Sequence, residues 1–443
     1  MSRKYFGTDG IRGFAGKWPI SADFAFKLGV AATETLKANG VVRPLIAIGR
    51  DTRHSGVMLS ASISAGIMSR GGDVTLLGVM PTPAVSFLTR DLKADAGVVI
   101  SASHNPFEDN GIKFFNHEGE KLSDTVEAGI EDQLELNPAQ LDEVSGEDIG
   151  ITKRYSHEND DYYKYLLSLA PNLDDISIGL DCANGAAYDI APRLFRELGA
   201  HLDVIDAHPD GININEKCGS THPESLIRRV KALGLELGVS FDGDADRALL
   251  IDKRGRLVSG DHILAINAIV NNEKAIVATI MSNLGVEKYL KARGIEMIRT
   301  QVGDRYVHEE LVNRGLNLGG EQSGHILFLN LSPTGDGILT ALQTLKAINK
   351  SAKSLEQWMD EIPMFPQTLL SVRVPSKLKS SIQNHPDVEN AVKKAETLLS
   401  GNGRVNLRPS GTEPVIRVMV EGQDQELIEK LANDIANIVK GIK

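Results

Sequence analysis

The chain has 443 residues, 42% apolar and 24% charged, which is ordinary globular composition and room for two to four domains at roughly 100–200 residues each. Its net charge of −11 (48 basic against 59 acidic side chains) repels nucleic acid and other anions, so an anionic ligand must be met by local clusters of Arg, Lys and backbone N–H. Two cysteines exclude a disulfide framework, and no apolar run approaches a signal peptide or the ~20 residues of a membrane span, so a cytoplasmic protein with no nucleic-acid or membrane partner is expected.

In chain order, the start carries Gly7-Thr8-Asp9-Gly10-Ile11-Arg12-Gly13, a loop that presents Arg12. Three later stretches share one shape, an apolar β-rich run that ends in a small polar or Gly-rich turn and leads into a helical pattern. They are PLIAIGRDTRHSG (44–56), DISIGLDCANGAAY (175–188) and AIVATIMSNLGVEKYL (275–290). Strands alternating with helices predict α/β units with largely parallel sheets. The spacing is too long for a solenoid repeat, so three related α/β domains are expected. Residues 117–160 are acidic and polar, with Pro138 and the run from His157 to Asp161, and read as a last helix plus a linker. The turn at 252–255 marks a second boundary and also reads as a hairpin. EIPMFPQ (361–367) marks a third. The expected domains are therefore 1–153, 154–254, 255–366 and 367–443. The last is a smaller α+β domain: Val388, Ala391, Val392, Ala395 and Leu399 keep helical spacing, as do Ile428, Leu431, Ile435 and Ile438, around a strand–loop–strand.

Four segments carry chemistry. AGVVI (96–100) empties into Ser101-Ala102-Ser103-His104-Asn105-Pro106, which places a hydroxyl at a strand end, where α/β sheets bind ligands. An ordinary Ser/Asn/Pro turn reads the same way. Lys113 follows, as a proton shuttle, a phosphate contact or a solvated lysine. GVSFDGDADR crowds Asp242, Asp244 and Asp246 into five residues, which a cation or solvent must relieve. Hard oxygen ligands suit Mg²⁺ or Ca²⁺, and the register excludes an EF-hand, since position six is Arg247 and position twelve Lys253. GGEQSGH sets Glu321 and Ser323 in a Gly-rich turn suited to hydroxyl groups, beside His325 for acid–base work or a structural histidine. Arg408-Pro409-Ser410-Gly411-Thr412-Glu413-Pro414, with Arg417 beyond it, makes a phosphate cradle that is not a Walker loop. Serine, metal triad, polyol clamp and cradle on four successive segments imply a cleft where four domains meet.

FGTDGIRG, SASHNP, DGDADR, GEQSGH and RPSGTEP stand in the order of the α-D-phosphohexomutases, which the chain resembles from residue 5 to its final helix. The resemblance implies four domains around a central cleft, the first three with mixed sheets. It also implies an isomerase that moves a phosphoryl group on a hexose phosphate, here a hexosamine phosphate; glucose or mannose phosphates would leave the chemistry unchanged. By match to SASHNP it chooses Ser103 over Ser101 as the phosphoserine. Asp242, Asp244 and Asp246 match the ligands of one Mg²⁺, completed by a phosphate oxygen on Ser103. Lys113 and His325 match the proposed acid–base residues, with Arg247 beside the metal loop. Glu321 and Ser323 match sugar contacts, and Arg408, Ser410, Gly411, Thr412 and Arg417 match the grip on the phosphate not being transferred. A bisphosphorylated sugar as primer and a homodimer are compatible with this reading. A phosphatase with an aspartate nucleophile, D-x-D-x-[TV], is opposed by Asp246 at the fifth position. A binding protein without turnover would have lost the serine or an aspartate, and this chain keeps both.

Overall fold

The computed structural model describes residues 4–7, 9–135, 144–156, 160–375, 378–379, 381–409 and 414–442. By internal contacts the chain divides into two units, Met1–Thr279 with Ile298–Met359, and Ile280–Met297 with Asp360–Lys443.

The first unit holds three sheets, except for Glu296 and Met297 at the start of one strand of the third, which fall in the second unit. β1 (Ile11–Phe14), β2 (Leu45–Arg50), β3 (Asp73–Val79), β4 (Ala96–Ile100), β5 (Asp109–Asn116) and β6 (Thr152–Arg154) form a mixed sheet of order β1-β5-β4-β2-β3-β6. β2 is parallel to β3 and β4, whereas β5 is antiparallel to β4 and β1. Every residue of β4 is buried, which is why its sequence is a continuous apolar run and not an alternation. The helix Ala22–Ala38 packs Phe24, Leu28 and Ala32 onto this core together with Leu59, Ile63 and Ile67 of the helix Ser55–Ser69.

The second sheet is β7 (Ser177–Asp181), β8 (His201–Ile205), β9 (Leu237–Phe241), β10 (Ala248–Asp252) and β11 (Leu257–Val258), in the order β11-β10-β9-β7-β8. β7 runs parallel to β8 and β9, and β9, β10 and β11 are antiparallel in succession. The turn at 253–256 is thus a hairpin that returns β11 to the same sheet. The third sheet, β12 (Ala275–Thr279), β13 (Glu296–Thr300), β14 (Leu318–Gly320) and β15 (Ile326–Phe328), has the order β13-β12-β14-β15. The three stretches of common shape are β2, β7 and β12 with the helices Ser55–Ser69, Ile190–Glu197 and Leu284–Lys291 after them. Their sheets are mixed, because each closes with an antiparallel strand.

The second unit contains the antiparallel sheet β16 (Gln367–Arg373), β18 (Val415–Gly422) and β17 (Gly403–Pro409), with β18 central. The helices Pro386–Leu399 and Gln425–Gly441 bury Val388, Ala395, Leu399, Ile428, Leu431 and Ile435 against it, the positions at helical spacing. The helix Leu284–Lys291 belongs to this unit: Leu284 N donates to Glu421 Oε1 at 2.9 Å and Asn283 Nδ2 to the Phe365 carbonyl at 2.9 Å. Among the described residues, no helix is long and apolar enough to cross a membrane.

Candidate active site

The loop after β4 carries Ser103 in a left-handed conformation, φ 52°, which costs a non-glycine residue energy and persists only when its surroundings hold it. They do. The Ser103 carbonyl accepts from Arg53 Nη2 (3.0 Å) and Asn215 Nδ2 (2.8 Å), and its N–H donates to Ser101 Oγ (2.9 Å). Arg53 is fully buried and also donates to the carbonyls of Asn105, Pro106 and Asp109, with Asp51 on its Nε at 2.8 Å. Arg53, in a strand-end loop that could have presented it to an anion, spends its guanidinium on these carbonyls and on Asp51. Ser101 Oγ donates to Asp51 Oδ2 at 2.6 Å and serves the same scaffold. Ser103 Oγ instead donates to Asp242 Oδ2 at 2.6 Å. Gly243 lets the two loops meet: a Cβ there would stand 2.6 Å from the Ser103 carbonyl.

The turn after β9 gathers Asp242, Asp244 and Asp246, with one oxygen from each within 4.8 Å of the others and all three buried. Burial and the two neighbouring carboxylates push Asp242 well above the usual carboxylate range. Asp244 Oδ2 accepts from Thr82 Oγ1 (2.7 Å) and Lys113 Nζ (3.0 Å). Among the described residues Oδ1 of Asp244 and of Asp246 accepts no hydrogen bond, although Arg247 Nε stands 3.7 Å from Asp246 Oδ1. Buried carboxylate oxygens without donors, next to a hydroxyl on the third carboxylate, are a donor set that suits a hard divalent cation. Asp181, Asp206 and Cys218 also bring one ligand atom each within 4.8 Å of one another, but both oxygens of Asp181 are taken by the N–H groups of Ala183 and Gly219.

Around the triad lie the other expected residues of the first unit. Lys113 is 3% exposed, and although burial opposes its charge, Asp244, Asp9 and Asp246 outweigh it and hold the ammonium firmly protonated. Arg247 stands with Nη1 3.2 Å from His104 Nδ1 and donates its backbone N–H to Asp242 Oδ1 (3.2 Å). His325 Nδ1 is 3.6 Å from Asp246 and Nε2 3.5 Å from Asp304. Burial would depress this imidazole, but Asp246 and then Asp304 and Glu321 raise it to about 9. Glu321 Oε1 accepts from the Gly303 N–H (3.1 Å), and its Oε2 lies 3.5 Å from Ser323 Oγ. Asp246, Lys113, Asp9, Lys121, Asp304 and His325 close into a ring of alternating charge, each within ion-pair distance of the next. In the second unit Arg408 and Arg417 face each other directly across β17 and β18. Burial and then the Arg417 charge make Arg408 less basic than usual. Like charges opposed across strands repel, which an anion would relieve. Ser410, Gly411 and Thr412 lie outside the described residues.

Sequence reasoning left out His104, Thr82, Lys121 and Asp304. His104 Nδ1 lies 3.4 Å from Ser103 Oγ, and burial with Arg247 and Arg12 nearby lowers its pKa to about 4, so it is neutral. The quoted SASHNP segment already held it. Thr82, the first residue of the helix Thr82–Asp91, sends no local signal in MPTPAV.

Models for phosphoglucomutase/phosphomannomutase α/β/α domains I, II and III match residues 3–140, 160–255 and 259–365, and the C-terminal domain of the same proteins matches 369–438. The chain belongs to the phosphoglucomutase/phosphomannomutase family. Such phosphohexomutases are isomerases, and this one is an enzyme of that kind. A phosphoglucosamine mutase of Deinococcus radiodurans is 52% identical over 438 residues, 99% of this chain and 98% of that one. One from Thermus thermophilus is 49% identical over 440 residues, with the same shares covered. The fold matches a phosphoglucomutase/phosphomannomutase family protein from Burkholderia thailandensis with a TM-score of 0.82 at 24% identity, over 100% of this chain and 98% of that one. It also matches Aspergillus fumigatus N-acetylphosphoglucosamine mutase, solved with GlcNAc-6P and magnesium, with a TM-score of 0.69 at 18% identity over 99% and 96%. The phosphohexomutase resemblance of the motifs thus holds over the whole chain.

Proposed function

We propose that this phosphohexomutase interconverts glucosamine 6-phosphate and glucosamine 1-phosphate, with a phosphoserine at Ser103 as donor and acceptor. The observation that carries the reading is the 2.6 Å contact between Ser103 Oγ and Asp242 inside a buried aspartate triad. Full-length relatives that are phosphoglucosamine mutases support the choice of sugar.

In the proposed first step, an O–P bond forms to the free hydroxyl of the sugar monophosphate as the P–Oγ bond of Ser103 breaks. The hydroxyl proton leaves to a base, and Ser103 returns to a hydroxyl, so protons balance. The 1,6-bisphosphate turns over, and Ser103 takes back the other phosphoryl group. Asp242, Asp244 and Asp246 would hold one Mg²⁺, with a phosphate oxygen on Ser103. Bound there, Mg²⁺ supplies positive charge to the phosphoryl group in transfer. Lys113 and Arg247 add fixed cations, His325 exchanges the proton, and Glu321 and Ser323 accept sugar hydroxyls. Arg408 and Arg417, with Ser410, Gly411 and Thr412, grip the phosphate that is not being transferred, bidentate contact being what guanidinium groups provide. A cytoplasmic location, a bisphosphorylated sugar as primer and a homodimer go with this reading.

The test compares kcat/KM for glucosamine, glucose and mannose 6-phosphates, with Mg²⁺ and catalytic bisphosphate supplied. The highest value is expected for glucosamine; a preference for glucose or mannose overturns the sugar assignment. Near-normal turnover by Ser103→Ala would sink the nucleophile.

A further inference from the structure

The turn Ser332–Gly337 follows β15 and opens the helix Gly337–Ser351; nothing in the function so far uses it. A Cβ built on Gly335 would stand 2.3 Å from Nε2, 2.4 Å from Cε1 and 2.7 Å from Cδ2 of His325. Three ring atoms within 3 Å mean that the bare backbone of Gly335 lies against the edge of the imidazole that carries Nε2. The ring is 3% exposed, with Asp246 on Nδ1 and Asp304 on Nε2. The turn is equally fixed. Asp336 Oδ2 accepts from Tyr162 Oη (2.8 Å), Asp336 Oδ1 from Leu339 N (2.9 Å), and Gly337 N donates to the Ala245 carbonyl (2.9 Å). Ala245 lies between two triad aspartates, so the same turn touches the metal loop. A methyl group at 335 therefore meets a braced backbone on one side and a side chain on the other. Overpacking a close-packed interior displaces side chains and backbone alike, and here the backbone is the braced partner, so the imidazole is the group left to move.

We infer that Gly335 is a positioning residue for His325: its missing side chain is what lets the imidazole sit between Asp246 and Asp304. The inference rests on the reading of His325 as the residue that exchanges the substrate proton. A displacement on the ångström scale at such a group costs about 100-fold in rate.

The experiment is a double-mutant cycle of Gly335→Ala and His325→Ala in the full-length enzyme, read by kcat, KM and thermal midpoint. Gly335→Ala alone is expected to lower kcat about 100-fold with KM little changed, and to lower the midpoint. In the His325→Ala background it is expected to lower neither further, because the ring it collides with is gone. Equal losses in both backgrounds, or a double variant that does not fold, would mean a merely structural glycine and overturn the inference. If Gly335→Ala fails to fold and the double variant folds, the inference is supported. A wild-type chain inactive on all three sugar phosphates would remove the mutase reading, while the midpoints would still decide the contact.

Discussion

At the scale of single residues, the site separates two serines two positions apart by what their hydroxyls touch. Ser101 Oγ bonds Asp51 and receives the Ser103 N–H, while Ser103 Oγ reaches Asp242. Local sequence offers no such distinction, since both follow the same buried strand. The orphan oxygens of Asp244 and Asp246 lead to a first prediction. Mg²⁺ at about 100 times its Kd is expected to stabilise the wild-type chain by about 2.7 kcal/mol, seen as a higher thermal midpoint that EDTA reverses. Asp244→Asn is expected to abolish most of that shift and to lower activity by at least the roughly 10- to 100-fold typical of losing a supporting partner of a metal site. An unchanged Mg²⁺ shift would remove Asp244 from the metal site.

At the scale of elements, ends of strands and helices decide what the site can present. β4 and β9 are buried along their whole length and stop where a polar turn begins, which delivers Ser103 and the aspartates to adjacent loops. The helix Gly260–Val270 shows how a helix end stores pH dependence. His262 Nδ1 accepts the Ser259 N–H at 3.2 Å, which only the neutral ring can do, and burial followed by Arg256 lowers its pKa to about 4. Between that value and the ordinary 6.5, the unfolded chain carries a proton the folded chain lacks. Stability contributed by this group is therefore present above pH 6.5 and lost as pH falls toward 4, on the order of 3 kcal/mol in all. Urea midpoints measured across that window should fall less steeply in His262→Gln, which keeps an acceptor without the titration. The same slope in both proteins would count against the assignment.

At the scale of the whole molecule, the second unit takes in Ile280–Met297, a segment of the third matched domain, besides the C-terminal sheet. Glu421, fully buried on β18, ties these parts within that unit. It accepts from Leu284 N (2.9 Å), Gln367 Nε2 (2.8 Å) and Arg404 Nε. Breaking such a buried pair by removing one partner costs about 3–5 kcal/mol. Glu421→Ala is expected to unfold the second unit early, as a separate calorimetric transition below the main one. A single unshifted transition would refute that role. By itself the sequence determined the four-part α/β plan, the serine–aspartate–Glu/Ser–Arg order of the candidate segments and the family. Buried runs, turn residues and charge crowding are local properties that each segment carries in its own letters. Only the tertiary structure decided that Arg53 is a scaffold and not an anion ligand. It alone placed His104, Thr82, Lys121 and Asp304 with the triad, and set a glycine against His325. Apart from His104 beside its neighbour Ser103, those facts depend on contacts between residues from ten to more than a hundred positions apart, where burial and the nearest opposite charge, not residue type, set what a side chain does.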